Sequence, residues 1–364
     1  MVYFKSPLML YFLRHALMYF LIVLFVLCLI TFLTELIEYT KQTSNIKRES
    51  FLLSTKMALL HLPFMIQRIL PYAVLFGTML SLLRLSKNSE LVIARAAGLN
   101  IWQCCLPYIF LAILIGITNI GVLSPITAVT QTKLMQIETN YLNKNDSRLQ
   151  VSGGGFWLHQ QYGEKSSIIH ANAINPEKME LQKVIIFRYD KNIFYERIDG
   201  KTASLKDGYW EVSNGIRTDH QQKTNKIIIY KLDTNLTSTK IKESFAPPDT
   251  MSFWSMLKFI EIIENAGFSS RKHLIHWHSL LASPFLFIGM VLIGATFSVR
   301  QIGRKGIGIR IFVGIILAFI IFFLNDIASV LGQGSSAPAE IAAWIPALMP
   351  ILISASVLLY LEDG

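Results

Sequence analysis

Six stretches of the chain are apolar for long enough to cross a bilayer, and a polar, alternating region divides them three and three. A membrane helix needs about 20 mainly apolar residues. Residues 16–34 carry no charge and read as the first span. Residues 59–83 form the second, interrupted only by Arg68 and the near-terminal His61. The run 96–132 is uncharged throughout, enough for a third span and an extension beyond the membrane. After the polar region come 279–299, 311–324 with weakly polar extensions, and 341–361. The first run exceeds the roughly 7–15 apolar residues of a signal peptide and no small-residue cleavage site follows, so a retained anchor is expected.

Residues 150–246 change the period. "SSIIHAN", "KVIIFRYD", "YWEVSNGI" and "NKIIIYKLD" are short β-branched or aromatic runs separated by Asn, Gly, Lys and Asp, the mark of strands. Several at near-regular spacing predict a sandwich or roll. "MSFWSMLKFIEIIENAGF" then predicts an amphipathic helix, with Phe253, Met256, Leu257, Ile260 and Ile263 along one stripe. The pattern predicts an α-helical membrane protein of six transmembrane helices, arranged 3+3, with an inserted all-β domain.

Composition agrees. Hydrophobic residues make up 52% and charged ones 16%, where soluble chains run at about one-quarter charged. The net charge of +10 does not point to nucleic acid, because no Lys/Arg block is interleaved with aromatics. Cys28, Cys104 and Cys105 all fall inside apolar runs and read as small buried hydrophobes.

Charge placement sets an orientation. Lys5 and Arg14 precede span one; Arg84, Lys87 and Arg95 separate spans two and three; Arg300, Arg304, Lys305 and Arg310 separate four and five. "LGQGSSAPAE", between five and six, has no Lys or Arg. By the positive-inside rule both termini are cytoplasmic and the insert lies outside. Lys41, Lys47, Arg48 and Lys56 dissent, as cations on the outer side.

No engine is visible in the chain. "GRKGIGIR" lacks the spacing of a phosphate loop, and neither G-x-S-x-G nor H-E-x-x-H occurs. His273, His276 and His278 lack a paired carboxylate or cysteine and read as interfacial histidines before metal ligands. Intramembrane charge is sparse: Arg68 in the outer part of span two and Asp326 near the outer end of span five. This argues against ion-coupled transport. Arg68 either snorkels to the interface or faces an anionic ligand.

The segment "LRLSKNSELVIARAAGLNIWQCCLPY" is charged and helix-forming, yet pinned between two spans. Asn88 or Ser89 is suited to cap a short helix near 88–98, Glu90 to its first turn, and Gly98 to its end. It reads either as a solvated interfacial helix or as a coupling helix that enters a groove of a cytoplasmic ATPase.

"LPYAVLFGTMLSLLRLSKNSELVIARAAGLNIWQ" is similar to the hallmark region of the lipopolysaccharide-export permeases, the LptF/LptG (YjgP/YjgQ) family. The shared pattern is Pro71, Lys87–Asn88, Ser89–Glu90–Leu91 and Ala96–Ala97–Gly98. "GGGFWLHQ…SSIIHA" resembles the first strands of the family's periplasmic β-jellyroll; "FLNDIASVLG" and "AAWIPALMP" resemble its fifth and sixth spans. The "ARAAG…WQ" and "FWL" wording leans towards the G subunit over F.

The resemblance implies a subunit without enzymatic activity or cofactor. Its partners are an F-type permease, a dimeric cytoplasmic ATPase (LptB), the periplasmic bridge proteins LptC and LptA, lipopolysaccharide and the inner membrane. Residues 1–132 then hold the first three helices, 133–272 the β-jellyroll with connecting helices, and 273–364 the last three. Glu90 matches the family's coupling-helix glutamate, with Leu91, Ala94, Arg95 and Gly98 around it. The lysine some G subunits carry late in span one falls on Glu35, and the span-five acid on Asn325 beside Asp326. Lys41, Arg68 and Lys133 remain as outer cations for anionic lipid A, and Phe319, Phe322 and Phe323 offer an apolar wall for its acyl chains. Phe319 shares a helical face with at least one of Phe322 and Phe323. The F-type permease and a non-transporting envelope scaffold are the rival readings; an envelope enzyme lacks a catalytic constellation.

Overall fold

A computed structural model describes residues 7–43, 50–141, 148–152, 155–162, 165–175, 180–190, 193–219, 223–234, 247–265, 269–299, 307–334 and 338–363. Lys5, Lys47, Arg48, Arg300, Arg304 and Lys305, used above for orientation, lie outside these residues. Two compact units emerge. One comprises Met1–Leu134, Asp249–Trp254 and Arg271–Gly364; the other Met135–Pro248 and Ser255–Ser270.

The first unit is helical. Its elements are α1 (Pro7–Thr43), α2 (Ser50–Lys87), α3 (Glu90–Ala96), α4 (Ile101–Thr118), a π-helical turn (Asn119–Leu123) and α5 (Ser124–Tyr141), which runs on into the second unit. After α6 (Phe253–Asn265) come α7 (Arg271–Val299), α8 (Ile307–Gln333) and α9 (Ala339–Asp363). Six of the helical stretches are long and apolar enough to cross a membrane, as the sequence predicts. They outrun the apolar windows, α1 and α2 reaching 37 and 38 residues. An apolar run marks what needs lipid, whereas a helix continues until its backbone meets a stop. α4 has a clear start: the Asn100 side chain accepts from the Gln103 N–H, and the Gln103 side chain accepts from the Asn100 N–H, a reciprocal capping box.

In a bilayer the lipid is as apolar as leucine, so close packing replaces hydrophobic drive between helices. Gly116 of α4 lies so near α7 that a Cβ there would sit 2.7 Å from Pro284 Cα. Gly77 of α2 meets α1 in the same way, at 2.8 Å from Phe20 Cα. The buried cluster of this unit combines Phe12 and Phe20 with Leu75, Tyr108, Phe287 and Met290.

The second unit is built on one antiparallel sheet. Its strands are β1 (Arg148–Ser152), β2 (Gly155–Tyr162), β3 (Lys165–Asn175), β4 (Glu180–Asp190), β5 (Ile193–Lys206), β6 (Tyr209–Asp219) and β7 (Thr224–Asp233), each paired with the next. Cross-strand pairs align Leu158, Ile169, Ile186 and Ile198 in one apolar row, all fully buried. Gln160 of β2 donates to the Asp233 carbonyl at 3.3 Å and accepts from the Thr234 hydroxyl at 2.7 Å. Strands far apart in the sheet order therefore meet, so the sheet rolls around its own apolar face. Of the two architectures expected, sandwich or roll, the single sheet resolves the choice. Ile263 of α6 joins that core, with Phe259 packed against it.

The predicted stripe of α6 needs one correction. Phe253, Met256, Ile260 and Ile263 are buried, but Leu257 is half exposed. At 100° per residue Leu257 falls at the margin of the arc that the other four define.

Candidate functional site

The short helix α3 follows α2 almost without a break. Asn88 N–H donates to Arg84 C=O at 3.0 Å and Ser89 N–H to Ser86 C=O at 3.1 Å. Ser89 then turns the chain with φ 63° and makes no side-chain cap. The expected cap by Asn88 or Ser89 is thus overturned, because a capping residue needs an extended backbone. The Asn88 amide instead donates to Glu90 Oε1 at 3.2 Å. The far end behaves as the sequence suggests. Gly98, at φ 91°, donates to Arg95 C=O at 2.9 Å, and Leu99 N–H to Ala94 C=O at 3.3 Å. This is the Schellman pair of bonds that glycine favours.

Two faces of α3 follow. Leu91 and Ala94 are buried in the core of the helical unit and anchor the helix. Val92, Ile93, Arg95, Ala96 and Gly98 are exposed, Ile93 by 67%. Glu90 lies between the faces. Its Oε2 accepts from the Tyr11 hydroxyl of α1 at 2.8 Å. One step back, Arg84 donates to the Tyr19 hydroxyl at 2.9 Å and lies over that ring at 5.9 Å. Of the five predicted coupling residues, three therefore reach the surface in whole or part and two fix the helix in place. Neither tyrosine carries a sequence signal, since aromatics are common at span ends.

The predicted lipid-contact residues separate into tiers. Glu35 of α1 and His61 of α2 approach to 4.0 Å, and Gln131 of α5 comes within 3.3 Å of His61. That level is a reference. At 1.5 Å per residue, Lys41 lies about 9 Å beyond it and Lys133 about 3 Å beyond, while Arg68 lies about 10 Å within. The Arg68 guanidinium sits 5.4 Å from the Phe322 ring centroid, and Tyr72 stands 6.3 Å from the same ring. Arg68 and Phe322 are thus together. Phe319 and Phe323, four residues apart, share a different and exposed face of α8. Lys41 and Lys133 are exposed.

Another face of α8 borders an apolar cavity of about 630 Å³ between α7, α8 and α9, lined by Leu324, Leu331, Ile345, Met349 and Val357 among others. The volume is within the range of ligand pockets.

Sequence reasoning missed a polar chain inside the bundle. Gln67 of α2 donates to Asn119 Oδ1 at 3.1 Å, and the Asn119 amide donates to Ser283 of α7 at 3.2 Å. Asn119 opens the π-helical turn, a form that often marks a functional bend. The signal was available: an asparagine deep within an uncharged, mainly apolar run. A second chain crosses at Ser81 and Tyr108, 2.8 Å apart.

The β unit hides a charged cluster of its own. Glu196 is fully buried, ion-paired with Arg188 and, at 2.6 Å, with Arg217. The Tyr230 hydroxyl donates to it at 3.0 Å; burial first, and the neighbouring carboxylate with it, pushes that phenol up to about 12. Each carboxylate oxygen is satisfied, as a buried charge requires.

The histidines of "RKHLIHWH" diverge. His276 stands 3.6 Å from Asp249, and the Trp344 indole donates to His278 at 3.4 Å. Among the described residues no group of three or more His, Cys, Asp or Glu is placed to hold a metal.

Residues 10–361 match the family described as "Lipopolysaccharide export system permease LptF/LptG". The chain is 22% identical to the "Lipopolysaccharide export system permease protein LptG" of Escherichia coli strain K12 over 345 residues, 91% of this chain and 93% of that protein. The Haemophilus influenzae protein of the same name is 22% identical over 311 residues, 81% of this chain and 82% of that protein.

Proposed function

The chain belongs to the LptF/LptG family of lipopolysaccharide export permeases, and we propose that it is the G-type permease subunit of an ATP-driven exporter. In this reading it pairs with an F-type permease and a dimeric cytoplasmic ATPase (LptB). It extracts lipopolysaccharide from the inner membrane and passes it to the periplasmic bridge proteins LptC and LptA. The similarity to proteins named LptG favours G over the paralogous F subunit and over a scaffold without transport.

The observation that carries the reading is the build of α3. Leu91 and Ala94 root it in the bundle while Ile93 and Arg95 stay outside. A helix so rooted moves with the spans when a partner pushes on it, which is what coupling demands. Glu90, Arg95 and Gly98 complete the contact surface, and the hydrolysis belongs to the ATPase. The cations Arg84 and Lys87 before α3 and Arg95 within it support a cytoplasmic position for this end and for both termini, with the β domain in the periplasm. Arg68, beside Phe322, and the outer Lys41 and Lys133 supply charge for lipid A phosphates, and Phe319, Phe322 and Phe323 supply apolar surface for its acyl chains.

Purification from native membranes, with mass spectrometry of bound proteins and lipid, tests the assignment. Recovery of the ATPase, a second permease and lipopolysaccharide is expected; recovery of none of them refutes it. Orientation has its own test in a background without the native cysteines. An impermeant thiol reagent should label Asp190→Cys but not Ser89→Cys in cells with a permeabilised outer membrane. Labelling at position 89 removes the coupling role.

A further inference from the structure

We infer that Tyr11 is the positioning residue for Glu90, so that α1 sets the geometry of the surface α3 offers to its partner. The inference rests on the coupling role proposed above and adds a residue, and a span, to it.

The geometry is specific. The two oxygens of Glu90 each receive one donor, Tyr11 at Oε2 and Asn88 at Oε1. A carboxylate held by two donors keeps acceptor capacity on both oxygens and is fixed in one orientation, ready for a cationic group. The Asn88 donor is local and moves with α3. The Tyr11 donor comes from 79 residues away and belongs to another span, so it alone of the two reports where α1 stands. Its ring is itself held: His15, one turn on along α1, meets it edge-on at 4.4 Å between centroids.

Tyr11 is 41% exposed in the isolated chain, where water competes for the bond. A partner seated on α3 removes that water, and a hydrogen bond to a charge strengthens as its surroundings dry. Docking on α3 therefore tightens its link to α1, and displacement of α1 loosens the carboxylate that docking uses.

The test uses the assembled permease–ATPase complex in lipid, read as lipopolysaccharide released per ATP hydrolysed. Tyr11→Phe keeps the ring and its contact with His15 and removes only the hydroxyl. The release ratio is expected to fall about tenfold, the scale of one hydrogen bond to a charged group, while recovery of the complex stays unchanged. In a Glu90→Ala background, which leaves the hydroxyl no acceptor at position 90, the same substitution is expected to have no further effect, because Tyr11 acts through that carboxylate. A Tyr11→Phe complex that couples like wild type, or a loss that adds in full to that of Glu90→Ala, overturns the inference. Failure of the coupling role itself looks different: Glu90→Lys would then leave assembly and release intact.

Discussion

Spans α2 and α7 differ from spans α1 and α8 in where their side chains lie. In the most apolar windows of α2 and α7, 61% of residues are buried within the chain; in those of α1 and α8 the figure is 17%. The exposed pair is the more apolar of the two, the reverse of a water-soluble protein. Lipid is the solvent, so apolar side chains such as Phe25, Leu29, Phe319 and Phe323 face outwards at no cost. The inner pair is held by what lipid cannot offer. Gly116 and Gly294 allow close approach to α7 and α2, and Gln67, Asn119 and Ser283 hydrogen-bond across spans. α1 buries a narrower stripe, Phe12, Ala16, Phe20 and Val23, with Gly77 close against Phe20, and adds the bonds of Tyr11 to Glu90 and of Arg84 to Tyr19. The contrast puts α2 and α7 at the centre of the helical unit and α1 and α8 at its margin.

The comparison breaks most readily at Gly116. A side chain there drives into the Pro284 backbone, which has no flexible end to yield. Gly116→Leu is expected to destabilise the helical unit by about 3 kcal/mol or more, the upper range for overpacking, read as thermal unfolding of the purified protein in detergent. Leu29→Ala on the exposed face of α1 should change stability by less than about 0.5 kcal/mol. Equal losses at the two positions would show that burial within this chain does not distinguish core span from flank.

Asn119 sharpens the same contrast at a smaller scale. Asn119→Leu deprives Gln67 and Ser283 of their shared partner, at an expected cost of about 1–2 kcal/mol for polar contacts between membrane helices. Gly121→Ala, in the same π-helical turn with open space around it, is the matched control and should stay near wild type. A silent Asn119→Leu would mean that the polar chain does not hold α2, the turn and α7 together.

These differences also mark how far the sequence could be read. Hydropathy found every span, because a run of apolar residues is a local property. It could not find the ends, since Pro7 and Thr43 lie in helix that the apolar window does not require. Gly98 was legible as a helix stop because its positive φ is a demand only glycine meets easily. Ser89 has a capping side chain but does not cap, because its left-handed backbone comes from the α2–α3 junction, not from its own preference. Glu90 stood out from its motif, whereas Tyr11 did not, because a bond across 79 residues leaves no trace in spacing. The Glu196 cluster was hidden for the same reason: its charges lie on β4, β5 and β6 and become neighbours only through register. Nearness to span ends groups Lys41, Arg68 and Lys133 in the sequence, and helix rise separates Arg68 from the other two.

The smallest effect expected concerns that separation. Arg68 lies deeper than Lys41 and Lys133, beside the Phe322 ring of a flanking span. Its long side chain can carry the charge towards the interface while the stem stays in apolar surroundings. The ring fixes the position from which it starts. If anionic lipid meets Arg68 there, Phe322→Leu should weaken lipopolysaccharide binding by the purified complex about two- to fivefold. That is the value of an exposed cation–π contact, about 0.5–1 kcal/mol, since leucine preserves the apolar surface but not the ring's charge distribution. Arg68→Gln should cost at least as much, and its defect should shrink when salt weakens wild-type binding, as screening requires. Phe319→Leu and Phe323→Leu, on the exposed face of α8, should bind within twofold of wild type by the same measure. A larger loss at Phe319 or Phe323 than at Phe322 would show that the rings of that outward face, and not the Arg68–Phe322 pair, decide binding, and would leave Arg68 a structural cation.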